Sequence, residues 1–405
     1  MSIRALLKST AAAAVLVPGI AAAQEAPAEG VTIPRPAPGA NQAAAPADIV
    51  DAPFDVKVSG YVRVQEQQIF EDPDEGLPFG RNDGFTLDAA RLIVEADKGP
   101  LSGYISLDGA VDRFDGKNTT LGTVNVGLKD AWIGYGRDDF PFVKLLVGQF
   151  KPPFDAEEQR STRDMLFVDR AVAARGVRAG EGWNLDGLSI DRDIGGLIYG
   201  EPTFGDFGLG YFIAVTNGGG ANRVGNDNDG FQYTARVELR WSDMIVLGAA
   251  YNLNQVTTGD ELEDFVDEEY AGIAADLSGR FPLGPIGLVL QAQFIQQSAS
   301  FPDVPVEPDR VAMGYHGALG VELPMGFTVA YRYAFLDPTS SFETDDATAE
   351  ATLDTDAVTQ HTVGLNWESE VQVPLKLQVN YTLSQEQEPK EIANDRLDLL
   401  LQVAF

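Results

Sequence analysis

Phe327-Thr328-Val329-Ala330-Tyr331-Arg332-Tyr333-Ala334-Phe335, inside the stretch 326–337, alternates without a break. Successive side chains of a strand point to opposite sides, so Phe327, Val329, Tyr331, Tyr333 and Phe335 share one face and Thr328, Ala330, Arg332 and Ala334 the other. The same pattern recurs on both sides of it. In 229–242, Phe231, Tyr233, Ala235, Val237, Leu239 and Trp241 oppose Gln232, Thr234, Arg236, Glu238 and Arg240. In 286–298, Leu288, Leu290, Ala292 and Phe294 oppose Val289, Gln291, Gln293, Ile295 and Gln297. In 373–386, Leu375, Leu377, Val379, Tyr381 and Leu383 oppose Lys376, Gln378, Asn380, Thr382 and Ser384. One face is apolar and aromatic, and the other polar or charged.

Extending this reading along the chain predicts sixteen strands, over 55–69, 84–97, 101–114, 123–137, 142–150, 187–200, 205–216, 229–242, 244–256, 267–281, 286–299, 308–322, 326–337, 356–368, 373–386 and 393–405. Their connections alternate between short and long. An even number of long strands, tight turns at one end and long loops at the other is the pattern of an antiparallel transmembrane β-barrel. Closure also removes the free edges that would make such strands aggregate. Strands 84–97 and 123–137 change phase midway, as a bulge or a subunit contact would make them do. The fold class is therefore all-β.

Ahead of the strands, Arg4 and Lys8, an apolar run from Thr10 to Ile20 and Ala21-Ala22-Ala23 have the make-up of a secretory signal peptide over 1–23. Residues 24–53 are Ala/Pro-rich without apolar periodicity and read as an extended periplasmic leader; the barrel takes 54–405.

Composition removes several function classes. Across 405 residues, 29 Lys and Arg face 61 Asp and Glu, a formal charge of −32, which argues against a nucleic-acid partner. There is no cysteine, and His316 and His361 are the two histidines, so neither thiolate metal sites nor histidine-based hydrolysis has material to work with. No cofactor and no catalytic residue are expected. Acidic runs at 260–269 and 343–356 offer weak Ca2+ or Mg2+ binding as one reading, but neither has the spaced ligands and turn glycine of a coordination loop. They read as a solvated, cation-attracting rim.

The positive charge is concentrated elsewhere. After the apolar strand end Leu145-Leu146-Val147-Gly148-Gln149-Phe150, Lys151-Pro152-Pro153-Phe154 stops the ladder, because two prolines remove its donors. The long loop that follows carries Lys151, Arg160, Arg163, Arg170, Arg175 and Arg178, six basic residues against seven acidic between 151 and 187. A loop this long inside an ordered domain is usually functional or disordered, and its concentration of positive charge argues for function. Guanidinium forks match phosphate oxygens, and cations in a narrow pore favour anions. The competing reading pairs each arginine with a neighbour among Asp155, Glu157, Glu158, Asp164 and Asp169, which would pin the loop and cancel its field. On the polar strand faces, Arg63, Arg236, Arg240, Arg332, Lys376 and Arg396 are lumen candidates, alternating with Asp108, Asp112, Glu238 and Asp398.

Gly148-Gln149-Phe150-Lys151-Pro152-Pro153-Phe154, then 161–170 (Ser-Thr-Arg-Asp-Met-Leu-Phe-Val-Asp-Arg), then Asp191-Arg192-Asp193-Ile194-Gly195, resemble the phosphate-selective porin O/P family over roughly 54–405. The resemblance implies a sixteen-stranded homotrimeric barrel in the bacterial outer membrane, in contact with outer-membrane lipid and lipopolysaccharide. It also implies that the loop after the fifth strand folds inward as a constriction, with Lys151, Arg163, Arg170 and Arg192 in the matched motifs on an anion path. The expected function is passive diffusion of small hydrophilic solutes, anions such as phosphate or polyphosphate among them. The overall acidity supports the alternative of a general or cation-preferring pore. A barrel enzyme would need a catalytic constellation, and an adhesin a plugged lumen.

Overall fold

A computed structural model describes residues 53–70, 84–112, 124–137, 139–178, 181, 185–223, 225–226, 228–242, 244–258, 266–302, 309–342, 356–369, 374–387 and 392–405. The signal peptide, nearly all of the leader and most of both acidic runs lie outside these residues.

Sixteen strands form the wall: β1 Asp55–Phe70, β2 Gly84–Lys98, β3 Leu101–Asp112, β4 Val124–Arg137, β5 Phe140–Phe150, β6 Asp193–Gly200, β7 Phe207–Thr216, β8 Gln232–Trp241, β9 Ile245–Thr258, β10 Val266–Leu283, β11 Ile286–Ser300, β12 Arg310–Leu323, β13 Phe327–Phe342, β14 Val358–Ser369, β15 Leu375–Glu386 and β16 Asp395–Ala404. Each pairs antiparallel with its sequence neighbours, and β16 returns to β1, with Tyr61 opposite Ala404 and Phe70 opposite Asp395, which closes the barrel. A two-residue strip, Thr203–Phe204, continues the β6 side of the hairpin against Phe207 and Gly208.

The alternation places the side chains as expected. On β15, Leu377, Val379, Tyr381 and Leu383 are exposed while Lys376, Gln378, Asn380 and Thr382 are buried. On β8, Tyr233, Val237, Leu239 and Trp241 are exposed while Gln232, Thr234, Arg236 and Glu238 are buried. An exposed apolar girdle around a polar, buried interior is inverted relative to a soluble sandwich and suits a wall immersed in lipid.

Both phase breaks are bulges. Arg63 pairs with Ala89 and Val64 with Leu87, leaving Asp88 as the extra residue of β2. Ser106 pairs with Asp130 and Leu107 with Leu128, leaving Lys129 as the extra residue of β4. A bulge re-aims a side chain, and Asp88 uses it to reach Arg63, 2.9 Å from Nε. Near the end of β5, Gly148 takes φ +141, and a Cβ there would lie 2.1 Å from the Ala131 carbonyl oxygen. Glycine is what lets β5 pass so close to β4.

Two boundaries differ most from expectation, and one is the end of β13, which continues past 337 to Phe342 by pairing Ser341 with Val311 and Phe342 with Arg310. The strand predicted over 187–200 starts only at Asp193, because Leu188 and Ser189 donate their N–H groups to Ala173 and Ala174 carbonyls at 2.9 and 3.3 Å. The backbone there folds onto the preceding turn of the loop instead of entering the ladder.

Candidate functional site: the segment 151–192

The loop after β5 is locally ordered by short caps. Asp155 caps α1 (Ala156–Gln159) by accepting from the Glu158 amide at 2.8 Å, and Ser161 caps a single turn at Thr162–Asp164 by accepting from the Arg163 amide. A second short helix, α2 (Val172–Arg175), ends at Gly176 with φ +74, where a glycine C-cap is favoured. Gly176–Val177 then pairs with Leu185–Asp186. Helices this short have no stability of their own, so contacts with the wall must hold them.

Those contacts are apolar and polar at once. Phe154, Ala171, Val172, Val177 and Leu188 bury themselves with Ala250, Ala274, Ile295, Ala334, Leu336 and Val358 of the wall. Phe167 packs on Ala318 and Ala330. Wall glycines make room: a Cβ at Gly272 would meet the Phe154 ring at 2.9 Å, and one at Gly314 would meet Ala173 at 2.8 Å. Wall side chains of the polar face complete the segment's backbone hydrogen bonding. Arg63 donates to the Thr162 and Val168 carbonyls at 2.5 and 2.9 Å, Lys376 to Met165 at 2.8 Å, Asn366 to Leu166 at 2.8 Å and Arg332 to Asp169 at 2.8 Å, while Asn380 accepts from the Val168 amide at 2.6 Å. A segment without a ladder thereby keeps its buried backbone groups paired, as burial demands.

The cations singled out from the sequence are mostly paired with carboxylates. Lys151 lies 3.0 Å from Glu158, and Arg170 lies 2.9 Å from the other oxygen of the same carboxylate. Arg175 makes a two-pronged pair with Glu181, both contacts at 2.8 Å. Arg192 bridges to Asp130 of β4 at 2.9 Å and to Asp191 at 3.2 Å. Arg178 reaches Asp169 at 3.2 Å, and Arg163 reaches Asp164 at 3.5 Å. Arg160 is buried, with its carbonyl accepting from Arg170 at 3.0 Å. On the wall, Arg236 pairs with Glu238 at 2.9 Å and Asp276 at 2.7 Å, Arg240 with Glu201 at 2.8 Å and Glu238 at 2.5 Å, and Arg332 lies 3.5 Å from Glu157 and 4.5 Å from the Phe167 ring centroid. Arg396 joins Glu181, Asp169 and Asp398.

Ionisation follows from this packing. Burial pushes the Lys151 ammonium down to about 8 against the opposing pull of Glu158, and Arg192 and Arg170 add to the depression. Burial works against the Asp169 carboxylate, yet Arg178, Arg396 and Arg175 hold it well below the usual carboxylate range.

Sequence reasoning named Glu157, Glu158, Asp164 and Asp169 as possible partners but missed Asp130 and Glu181. Asp130 sits just beyond the β4 bulge, and the phase break there was the one signal pointing to it. Two loop cations keep substantial solvent exposure: the Arg163 side chain at 48% and Arg178 at 29%.

A closed barrel with an apolar exterior, a charged interior and one long segment fixed to its inner side chains defines a transmembrane β-barrel of the outer-membrane type. The family model described as Gram-negative porin matches residues 9–368, and the chain belongs to that family. It is an outer-membrane channel of Gram-negative bacteria; the narrower phosphate-selective type is not what this match shows. Among solved structures the chain is similar to the outer membrane channel DcaP of Acinetobacter baumannii, at 15% identity over 88% of this chain and 98% of that one, TM-score 0.57. It is also similar to an anion-selective porin from Comamonas acidovorans, at 16% identity over 87% and 100%, TM-score 0.55. A third is the trimer form of OmpT, an outer membrane protein of Vibrio cholerae, at 10% identity over 87% and 99%, TM-score 0.53. At these identities the likeness speaks for the fold. None of the curated proteins matches the chain.

Proposed function

We propose that this porin is a passive diffusion channel for small hydrophilic solutes, that residues 151–192 form its constriction, and that it prefers small anions such as phosphate or polyphosphate. The observation that carries the preference is the exposure of Arg163 and Arg178, at 48% and 29%, where Lys151, Arg170, Arg175 and Arg192 keep at most 14% beside their carboxylates. A paired, buried cation has little field left for a passing solute, whereas one that reaches the water of a narrow path has its field strengthened by low-dielectric walls. Weak binding at two such charges lets the solute leave again, which conduction requires. Lys151, Arg170, Arg175 and Arg192 then serve to fix the segment. Assembly as a homotrimer in outer-membrane lipid and lipopolysaccharide completes this reading.

A cation-preferring pore is the second reading. It is favoured by the excess of 61 acidic over 29 basic residues and by the pairing of the loop arginines. Loop charges farther than ~8–10 Å from the path are screened, so the charges lining the constriction decide. The test is the reversal potential in a potassium chloride gradient for the wild type and for Arg163→Gln with Arg178→Gln. The chloride preference of the wild type should fall about two- to fivefold for each charge removed. Cation preference in the wild type, unchanged in the double variant, sinks the anion reading.

A further inference from the structure

A second apolar band lies on the inner face of the barrel, and none of its members comes from the segment 151–192. Tyr104 of β3, Trp132 of β4, Leu146 of β5, Leu197 of β6 and Phe212 of β7 pack together across five consecutive strands. They occupy the face that carries polar groups farther along: Ser106 and Asp108 share the face of Tyr104, and Asp130 that of Trp132. Glycines form the floor. A Cβ at Gly134 would meet the Trp132 ring at 3.2 Å, and one at Gly210 the Phe212 ring at 2.9 Å, so both rings lie back along the wall. Tyr104 stacks on Trp132 with centroids 5.3 Å apart and planes within 6°, and Tyr199 of β6 stacks on Phe212 at 6.0 Å and 9°. The rings next to the wall are buried, whereas Tyr199 keeps partial exposure and is where the band reaches the lumen.

Lys144 of β5 is the direct neighbour of Tyr199 across the ladder, with Nζ 6.0 Å from the ring centroid. Its stem lies over Gly136, where a Cβ would meet Cγ at 2.7 Å, and the side chain is partly exposed. The carboxylates of this wall are engaged elsewhere: Asp108 by Arg91, Asp130 by Arg192, and Glu201 and Glu238 by Arg240. Glu95, beside Tyr104 on β2, stands three strands from β5. Among the described residues no carboxylate pairs with Lys144. A cation of this kind next to an apolar band favours an anion that also has an apolar body. Phosphate would gain nothing from the band, whereas a ring would leave water on it.

We propose that Tyr199 and Lys144 form a subsite inside the channel for flat organic carboxylates: the carboxylate meets the Lys144 ammonium, and the ring rests on Tyr199 with the band behind it. The inference rests on the reading of the chain as an anion-preferring pore and gives its solutes a chemical class. The Arg163 backbone is held across the lumen from this wall, by Lys376 of β15 and Gln402 of β16 at 3.4 and 3.2 Å, and β15 is eight strands from β7 in a barrel of sixteen. A solute in the subsite therefore has a second cation on the opposite side of its path. One ring contact and one charge bind weakly enough for release.

The test reads block of chloride current through the full-length protein in a planar bilayer at neutral pH, with acetate and benzoate as the probes. Benzoate should half-block at a concentration about two- to tenfold lower than acetate, the worth of one ring contact. Tyr199→Phe should keep that ratio. Tyr199→Ala, or Tyr199→Leu where the smaller side chain prevents insertion, should bring it to one. Lys144→Gln should weaken both blockers to the same degree, about two- to fivefold, and leave the ratio as it is. Equal half-blocking concentrations in the wild type, a ratio that survives loss of the Tyr199 ring, or unchanged block in Lys144→Gln overturns the proposal. Ion preference is read in the same recordings: chloride preference with equal blockers overturns the subsite alone, whereas cation preference overturns the anion reading together with it.

Discussion

Arg236→Ala is expected to destabilise the barrel by about 3–5 kcal/mol, the cost of removing one partner from a buried charge network. Arg236 is 1% exposed; its three nitrogens serve Glu238, Asp276 and the Phe154 carbonyl. Glu238 would keep Arg240 at 2.5 Å, but Asp276 would lose both of its 2.7 and 2.8 Å contacts and be left a buried, uncompensated charge. The Phe154 carbonyl would lose a donor as well, so the damage reaches the root of the segment. Urea unfolding in lipid, followed by tryptophan fluorescence, measures it. A loss below ~1 kcal/mol would mean that water reaches Asp276 freely and that the wall there is not packed as described.

Asp169→Ala should release the far half of the segment. Asp169 holds Arg178 at 3.2 Å and Arg396 of β16 at 2.8 Å, and Arg396 in turn meets Glu181 and Asp398. Removing the carboxylate leaves Arg396 with fewer partners and Arg178 unanchored, which weakens docking by about 3–5 kcal/mol. Trypsin cleavage after Arg170, Arg175 or Arg178 should then accelerate relative to the wild type, since cleavage tracks the population of the open state. The pH dependence has a definite sign. Its docked value is depressed, so the contribution is present above the ordinary carboxylate value of ~4 and is lost only in strong acid. An unchanged cleavage pattern in Asp169→Ala would show that the apolar anchors alone hold the segment.

The barrel was readable because a strand's period is two and lipid outside makes the apolar face continuous. In β13 and β15 the faces assigned from alternation are the exposed and buried faces of the structure. Bulges were readable only as broken phase: which residue is extra, Asp88 or Lys129, depends on the partner strand's register, which a single strand does not contain. Leu188-Ser189-Ile190 looked like strand because apolar alternation cannot say whether an N–H will meet a neighbouring strand or the carbonyls of α2.

The segment's existence and its cations were legible from two prolines and a run of arginines. Its pairing was not. Arg192 meets Asp130, 62 positions earlier, and Arg396 meets Glu181, 215 positions earlier, so the partners that neutralise the loop come from the closure of the barrel. A weaker signal was present in the polar faces: Ala250, Ala274, Ile295, Ala334 and Leu336 interrupt them with small or apolar residues, and each packs on Phe154, Val172 or their neighbours. Apolar residues on a face that should meet water mark where something else covers it.

The most direct test of the channel itself is to insert the refolded wild-type protein into a planar bilayer and record current at fixed voltage. Discrete, ohmic conductance steps are expected, with a reversal potential in a potassium chloride gradient on the chloride side. A bilayer that stays silent while the same sample is folded by circular dichroism and heat-modified gel mobility would contradict it, because a lumen filled by residues 151–192 would then be a plug and not a path.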